Sequence, residues 1–184
     1  GDTDPEHLVG SWAGAMGQTQ FMPTTYNEHA VDFDGDGKRD VWRSSTDALA
    51  SAAQYLNVSG WQMNQPWGFE VRLPAGFDYA LADPEVRRTL SQWQALGVKP
   101  VNSSAASVPS ESMATLLLPA GHKGPAFLLM NNFRSILRYN NSTSYALAIG
   151  LLSDSLRGAA GVQARWPVGE RQLGRQERIE LQQL

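Results

Sequence analysis

The chain has 184 residues, 42% of them hydrophobic and 18% charged, with a formal net charge of -3. That apolar share supports a packed core and excludes a disordered chain, and the slightly acidic balance offers no basic patch for phosphate, which argues against nucleic acid. There is no cysteine, which excludes disulfides and thiolate metal sites, and no apolar run approaches the roughly 20 residues of a membrane-spanning helix.

In chain order, residues 1–10 are polar and read as loop. Gly10-Ser11-Trp12-Ala13-Gly14-Ala15-Met16-Gly17 is rich in small residues, which let backbone or a ligand approach closely. Pro23 suits the first position of a short helix through His29, where a missing N–H costs nothing. An acidic loop from Asp32 to Arg43 leads into a helix from about Thr46 to Leu56, with Ser44 and Asp47 spaced as a capping box. Phe69 to Leu73 alternates like a strand and stops at Pro74-Ala75-Gly76. Asp83-Pro84 is expected to open a helix with Val86, Leu90, Trp93 and Leu96 at helical spacing, ended by Gly97. A polar loop at residues 102–111 precedes two apolar runs, Ala114 to Leu118 and Ala126 to Met130, which read as a hairpin with a long turn. Asn132 to Leu137 suits a short helix. Ser142 or Thr143 caps a longer one with Tyr145, Ala148, Ile149, Leu152 and Leu156 on one face. Residues 162–173 read as linker, and Arg175 to Leu184 as an amphipathic helix. Both ends look cut from a longer protein.

Three constellations carry chemistry. Asp32, Asp34 and Asp36 stand at alternate positions, followed by Gly37, so three carboxylates can converge on one hard cation. This matches the first half of a calcium loop; at the twelfth position, where a bidentate Glu is usual, stands Arg43. Asp47 is the nearest further carboxylate, and Lys38 offers its carbonyl. The alternative is a solvated acidic turn with Asp47 as a helix cap. Second, Ser11 and Gln20 are short polar groups among small residues and can hydrogen-bond an N-acetyl group or a sugar hydroxyl; tight packing of the backbone is the alternative. Third, Tyr139 and Tyr145 flank a helix start and offer both ring faces and hydroxyls to a sugar. His7, His29 and His122 have no ligand spacing and read as loop or surface residues.

Together these segments resemble the membrane-bound lytic murein transglycosylase B family and its soluble relatives. The resemblance rests on residues 10–23, 30–37 and 132–146, with Leu116 to Gly121 and Gly124 to Phe127 similar to the family's insertion. It implies a mainly α, lysozyme-like transglycosylase core with a small β-containing insertion. On that basis 1–60 is a core segment with a calcium-type loop, 61–130 the insertion, 131–160 the return to the helical core, and 161–184 a linker and the start of a peptidoglycan-binding domain. It implies cleavage of the MurNAc-β-1,4-GlcNAc bond with a 1,6-anhydromuramic end, by one glutamate acting as acid and then base. Carried over by position, Ser11, Gln20, Tyr55, Tyr139 and Tyr145 are substrate-binding residues. Ser11 and Gln20 are expected to face Tyr139 and Tyr145 across a cleft sized for amino sugars. Asp32, Asp34, Asp36, Lys38 and Asp47 are the ligands of a structural Ca2+ or Na+, and catalysis needs no cofactor.

One departure matters. The family's catalytic glutamate lies in a Gly-Val-Glu-Thr-like motif ahead of the Gly10 segment, and neither Glu6 nor Glu28 matches it. No catalytic acid is assigned, the glutamate is expected upstream of Gly1, and the isolated chain is expected to be inactive. A fragment, a second polypeptide supplying the missing helices, and a non-catalytic module that binds peptidoglycan and a cation are the alternatives. The resemblance implies peptidoglycan strands as partner and a periplasmic location, with an outer-membrane anchor in the parent protein.

Overall fold

The computed structural model describes residues 1–102, 107–169 and 174. The expected terminal helix from Arg175 to Leu184 lies outside them. The helices α1 (Pro23–His29) and α2 (Ser45–Val58) precede β1 (Gly68–Arg72). Next, β2 (Arg88–Thr89) runs directly into α3 (Leu90–Ala95), and β3 (Lys99–Pro100) follows. The hairpin of β4 (Met113–Leu117) and β5 (Ala126–Leu129) leads to α4 (Asn131–Tyr139) and α5 (Thr143–Leu156). The described residues thus hold five α-helices and a five-stranded sheet, and the fold is mixed α and β where mainly α was expected. β1, β4 and β5 fall on the runs that read as strands, and β4 and β5 form the expected hairpin. The two-residue β2 and β3 gave no pattern at all.

The chain divides into two compact units, Gly1–Trp67 with Met130–Ser153, and Gly68–Leu129 with the described residues from Asp154. In the first, the core is Phe21, Tyr26, Val41 and Ala48, with Tyr55 and Tyr139 packed against it. The N–H of Asp47 donates to the Ser44 hydroxyl at 3.2 Å, which caps α2. Asn132 on α4 is fully buried. Its carboxamide accepts the Gln62 N–H at 2.7 Å and donates to the carbonyls of Gln62 and Gln65, pinning the loop after α2. A buried amide this well satisfied fixes one arrangement of the loop.

In the second unit the strand order is β2-β4-β5-β1-β3, all antiparallel. Trp93 of α3 is fully buried, and its indole N–H donates to the Ala114 carbonyl at 3.1 Å, locking α3 onto β4. The helix expected from Asp83 begins instead at Leu90. Thr89 and Gln92 form a reciprocal capping box there, while Arg88 and Thr89 pair with Ala114 and Met113. Asp83 caps only a turn, accepting the Glu85 N–H at 2.7 Å. Glu70 in β1 is buried, and its carboxylate accepts the N–H groups of Gln163 and Ala164, both at 2.8 Å.

Candidate functional site

The small-residue segment builds one wall of an open cleft of about 540 Å3 in the first unit. The N–H of Ser11 donates to the Ala15 carbonyl at 2.7 Å, and the N–H of Ala15 donates back to the Ser11 hydroxyl at 3.1 Å. This closes a loop against which Met16 pairs with Phe21. A side chain at Gly10 would bring its Cβ to 2.5 Å from the Ala15 carbonyl oxygen, and one at Gly17 to 2.6 Å from that of Val41. Both glycines are therefore required by close backbone approach. Gln20 has a left-handed φ of 51°, and its carboxamide donates to the Gly17 carbonyl at 2.9 Å. That bond orients the side chain at the cleft and leaves its oxygen as a free acceptor.

Ser11 and Gln20 line the cleft together, joined by His7, Val9, Gln18, Trp42 and Arg43. The last five escaped the sequence reading. Trp42 and Arg43 come from the far side of the acidic loop, and the Trp42 indole N–H donates to the Val9 carbonyl at 3.0 Å. His7 had a signal available: Asp4 stands three residues before it, and their side chains meet at 2.6 Å. The hydrogen bond from His7 holds the Asp4 carboxyl below the usual carboxylate range. None of the residues lining the cleft is a carboxylate.

The tyrosines lie elsewhere. Tyr55 and Tyr139 are packed edge to face, 5.5 Å apart, and each also contacts Phe21. The Tyr55 hydroxyl donates to the Arg138 carbonyl at 3.2 Å, and that of Tyr139 to the Thr19 carbonyl at 2.7 Å. Burial pushes the Tyr139 hydroxyl up to about 12. Thr19 immediately precedes Gln20, so Tyr139 supports the backbone beneath a cleft residue without lining the cleft. Tyr145, in the first turn of α5, is 36% exposed and does not line it either. Tyr139 is thus tied through Thr19 to the segment that carries Gln20.

In the acidic loop, carboxylate oxygens of Asp32, Asp34 and Asp36 lie within 4.8 Å of one another. Each also accepts loop N–H groups, such as those of Gly35 and Gly37 at Asp32. The Lys38 N–H donates to Asp36 at 2.9 Å. An all-oxygen set of this kind fits a hard cation such as Ca2+. Asp47 is not among these three clustered carboxylates. It is buried, and its two oxygens accept the N–H groups of Phe33 at 2.9 Å and Asp40 at 3.0 Å. It staples the two ends of the loop to α2.

The sequence profile described as the Transglycosylase SLT domain matches residues 1–154, and the chain belongs to that family. Among curated relatives it is 36% identical over 159 residues to membrane-bound lytic murein transglycosylase B of Escherichia coli (strain K12), covering 83% of this chain and 41% of that protein. Among solved structures, SltB3 from Pseudomonas aeruginosa in complex with NAG-anhNAM-pentapeptide is similar with a TM-score of 0.91 and 58% identity, covering 100% of this chain and 49% of that one. The Escherichia coli lytic transglycosylase Slt35 in complex with calcium is similar with a TM-score of 0.68 and 35% identity, covering 84% and 47%. The chain thus spans about half the length of the relatives it matches.

Proposed function

We propose that this chain forms part of the glycan-binding region of a peptidoglycan lytic transglycosylase, with Ser11 and Gln20 holding an amino sugar in the cleft. The observation that carries this reading is the pairing of those two side chains, from a loop closed by glycine contacts, at one concave surface. The Ser11 hydroxyl and the Gln20 carboxamide oxygen suit the N–H and hydroxyl groups of an N-acetyl sugar. The parent enzyme breaks the MurNAc-β-1,4-GlcNAc bond, and the muramyl C6 hydroxyl closes onto C1. The tethered nucleophile needs only one general acid. No carboxylate lines the cleft to serve as that acid, and the buried Glu70 of the second unit is occupied with backbone N–H groups. The acid comes from a further segment or a second polypeptide, in the bacterial envelope where peptidoglycan lies. Tyr55, Tyr139 and Tyr145 serve the site from behind and beside the cleft. Asp32, Asp34, Asp36, the Lys38 carbonyl and Asp47 hold a structural cation, and the complexes of SltB3 with NAG-anhNAM-pentapeptide and of Slt35 with calcium support both parts of the reading.

The test is digestion of purified murein sacculi followed by mass analysis. This chain alone is expected to release no anhydromuropeptides while binding NAG-NAM-pentapeptide, and S11A and Q20A are expected to weaken that binding. Release of anhydro products would place the acid within the chain. Release of products one water heavier would instead mark a hydrolytic lysozyme. A second reading, a non-catalytic module for peptidoglycan and a cation, is favoured by the absence of a carboxylate from the cleft lining. It predicts that adding the unmatched half of SltB3 restores no cleavage.

A further inference from the structure

We propose that the face of α5 built from Ala148, Ile149 and Leu152, with Tyr145 at its N-terminal end, is the docking surface for the further polypeptide that brings the general acid. The inference rests on the reading of this chain as part of a transglycosylase whose acid lies outside it. These residues recur at helical spacing, and a stripe of that kind ordinarily faces a core. Here Ala148 faces water, Tyr145 and Ile149 are each 36% exposed, and Leu152 is 55% exposed. The opposite side of the helix is the one that packs: Ala146, Leu147 and Gly150 are buried, with Gly150 against the Trp67 ring. Across Thr143–Leu156 the only charged residue is Asp154. A helix that is apolar all round belongs inside a protein. Both sides of α5 therefore call for cover, and the described residues cover one.

The chemistry of the stripe favours polypeptide over glycan. Ala148, Ile149 and Leu152 carry no hydrogen-bonding group, so sugar hydroxyls pressed onto them would be left unpaired. The apolar side chains of a further segment cover them without that cost. Relatives hold enough chain to do so: this one covers 49% of SltB3 and 41% of the Escherichia coli transglycosylase B. The place of α5 suits a segment that carries the acid. After burial, the nearby Tyr145 is the next influence that raises the Tyr139 hydroxyl, so the first turn of α5 stands beside Tyr139. Tyr139 in turn holds the Thr19 carbonyl, one residue from Gln20. Polypeptide docked along α5 thus comes close to the segment that lines a cleft without a carboxylate.

Co-expression with the unmatched half of SltB3 tests this, the complex being measured by analytical ultracentrifugation. The wild-type chain is expected to form a one-to-one complex. I149E combined with L152E is expected to weaken it at least about a hundredfold, the factor that covering the exposed parts of two aliphatic side chains corresponds to at ordinary burial energies. The same pair is expected to leave the thermal midpoint of the chain alone unchanged, because both side chains face water there. S11A and Q20A, which probe the cleft, are expected to leave the complex intact. No complex with the wild-type chain, or a complex that survives I149E with L152E, would overturn the docking face and leave the glycan reading to its own binding test. A dimer of the chain alone that the pair breaks would give the face to a second copy and overturn the proposal. A fall in the thermal midpoint of the pair would overturn it too, by showing the face to be covered within the chain.

Discussion

At the scale of single residues, the acidic loop separates two jobs that one sequence pattern merged. The family resemblance put Asp47 beside Asp32, Asp34 and Asp36 as a ligand, and spacing left a helix cap as the alternative. What spacing could not show is that both Asp47 oxygens are taken by backbone N–H groups, from Phe33 and Asp40. The two roles predict different linkage to calcium. Replacing Asp47 by Asn turns one acceptor into a donor facing a buried N–H, a loss of about 2 kcal/mol. D47N should therefore lower stability by that amount with or without calcium, as measured by urea unfolding. D34N combined with D36N removes charge that the bound cation needs, while each Asn oxygen can still accept the loop N–H. Its cost should appear as a lower thermal midpoint in calcium and vanish in chelator, because a ligand stabilises the folded state by mass action. A D47N cost seen only in calcium would make Asp47 a ligand and no staple. A calcium response left intact in the double variant would remove the cation from the loop.

At the scale of elements, β1, β4, β5 and most helices were readable, while the two-residue β2 and β3 and the start of α3 were not. The boundaries of α1 and α5 follow from Pro23 and from the Ser142-Thr143 start, local signals that need no tertiary context. The segment before α3 misled because Val86, Leu90 and Trp93 keep a helical spacing, yet Arg88 and Thr89 are claimed by β4. Propensity also gives the wrong sign at Gly150 in α5. Exchanging a helical Gly for Ala ordinarily gains about 1 kcal/mol. Here the added Cβ would lie 2.5 Å from the indole of Trp67, which is 4% exposed and also packs on Phe133 with ring centroids 6.1 Å apart. Neither ring can retreat, and overpacking of this kind costs about 1–3 kcal/mol. G150A is expected to be net destabilising by about 1 kcal/mol in denaturant unfolding. A stabilised G150A would mean that the Trp67 ring yields easily.

At the scale of the whole molecule, the family and half of the cleft were visible in the sequence, because they rest on contiguous motifs. Ser11 and Gln20 stand within ten residues of each other in one such motif. Trp42 and Arg43 reach the cleft only through the closure of the acidic loop, and Tyr139 reaches the Gln20 segment only through its bond to the Thr19 carbonyl, 120 residues away in sequence. Long-range bonds of that kind leave no periodic trace. Glu70 is the extreme case: a charged residue in an apolar strand, bonded to amides 93 and 94 residues further along the chain. A buried carboxylate held by N–H donors alone is strongly placed, since each charge-assisted bond is worth about 1.5–3 kcal/mol. It works as a clasp that fixes residues 163 and 164 to the sheet-bearing unit. E70Q keeps the size but sets an amide donor against one of the two N–H groups. Hydrogen exchange at the Gln163 and Ala164 amides should then rise by at least about tenfold, the factor that a loss of 1.4 kcal/mol implies, and tryptic cleavage after Arg165 should quicken. Amides of β1 and β5 should keep their protection, because their ladder of bonds from Gly68 to Val71 does not involve the carboxylate. Equal loss of protection across the sheet would make Glu70 part of the unit's folding core, and unchanged exchange at 163 and 164 would dissolve the clasp altogether.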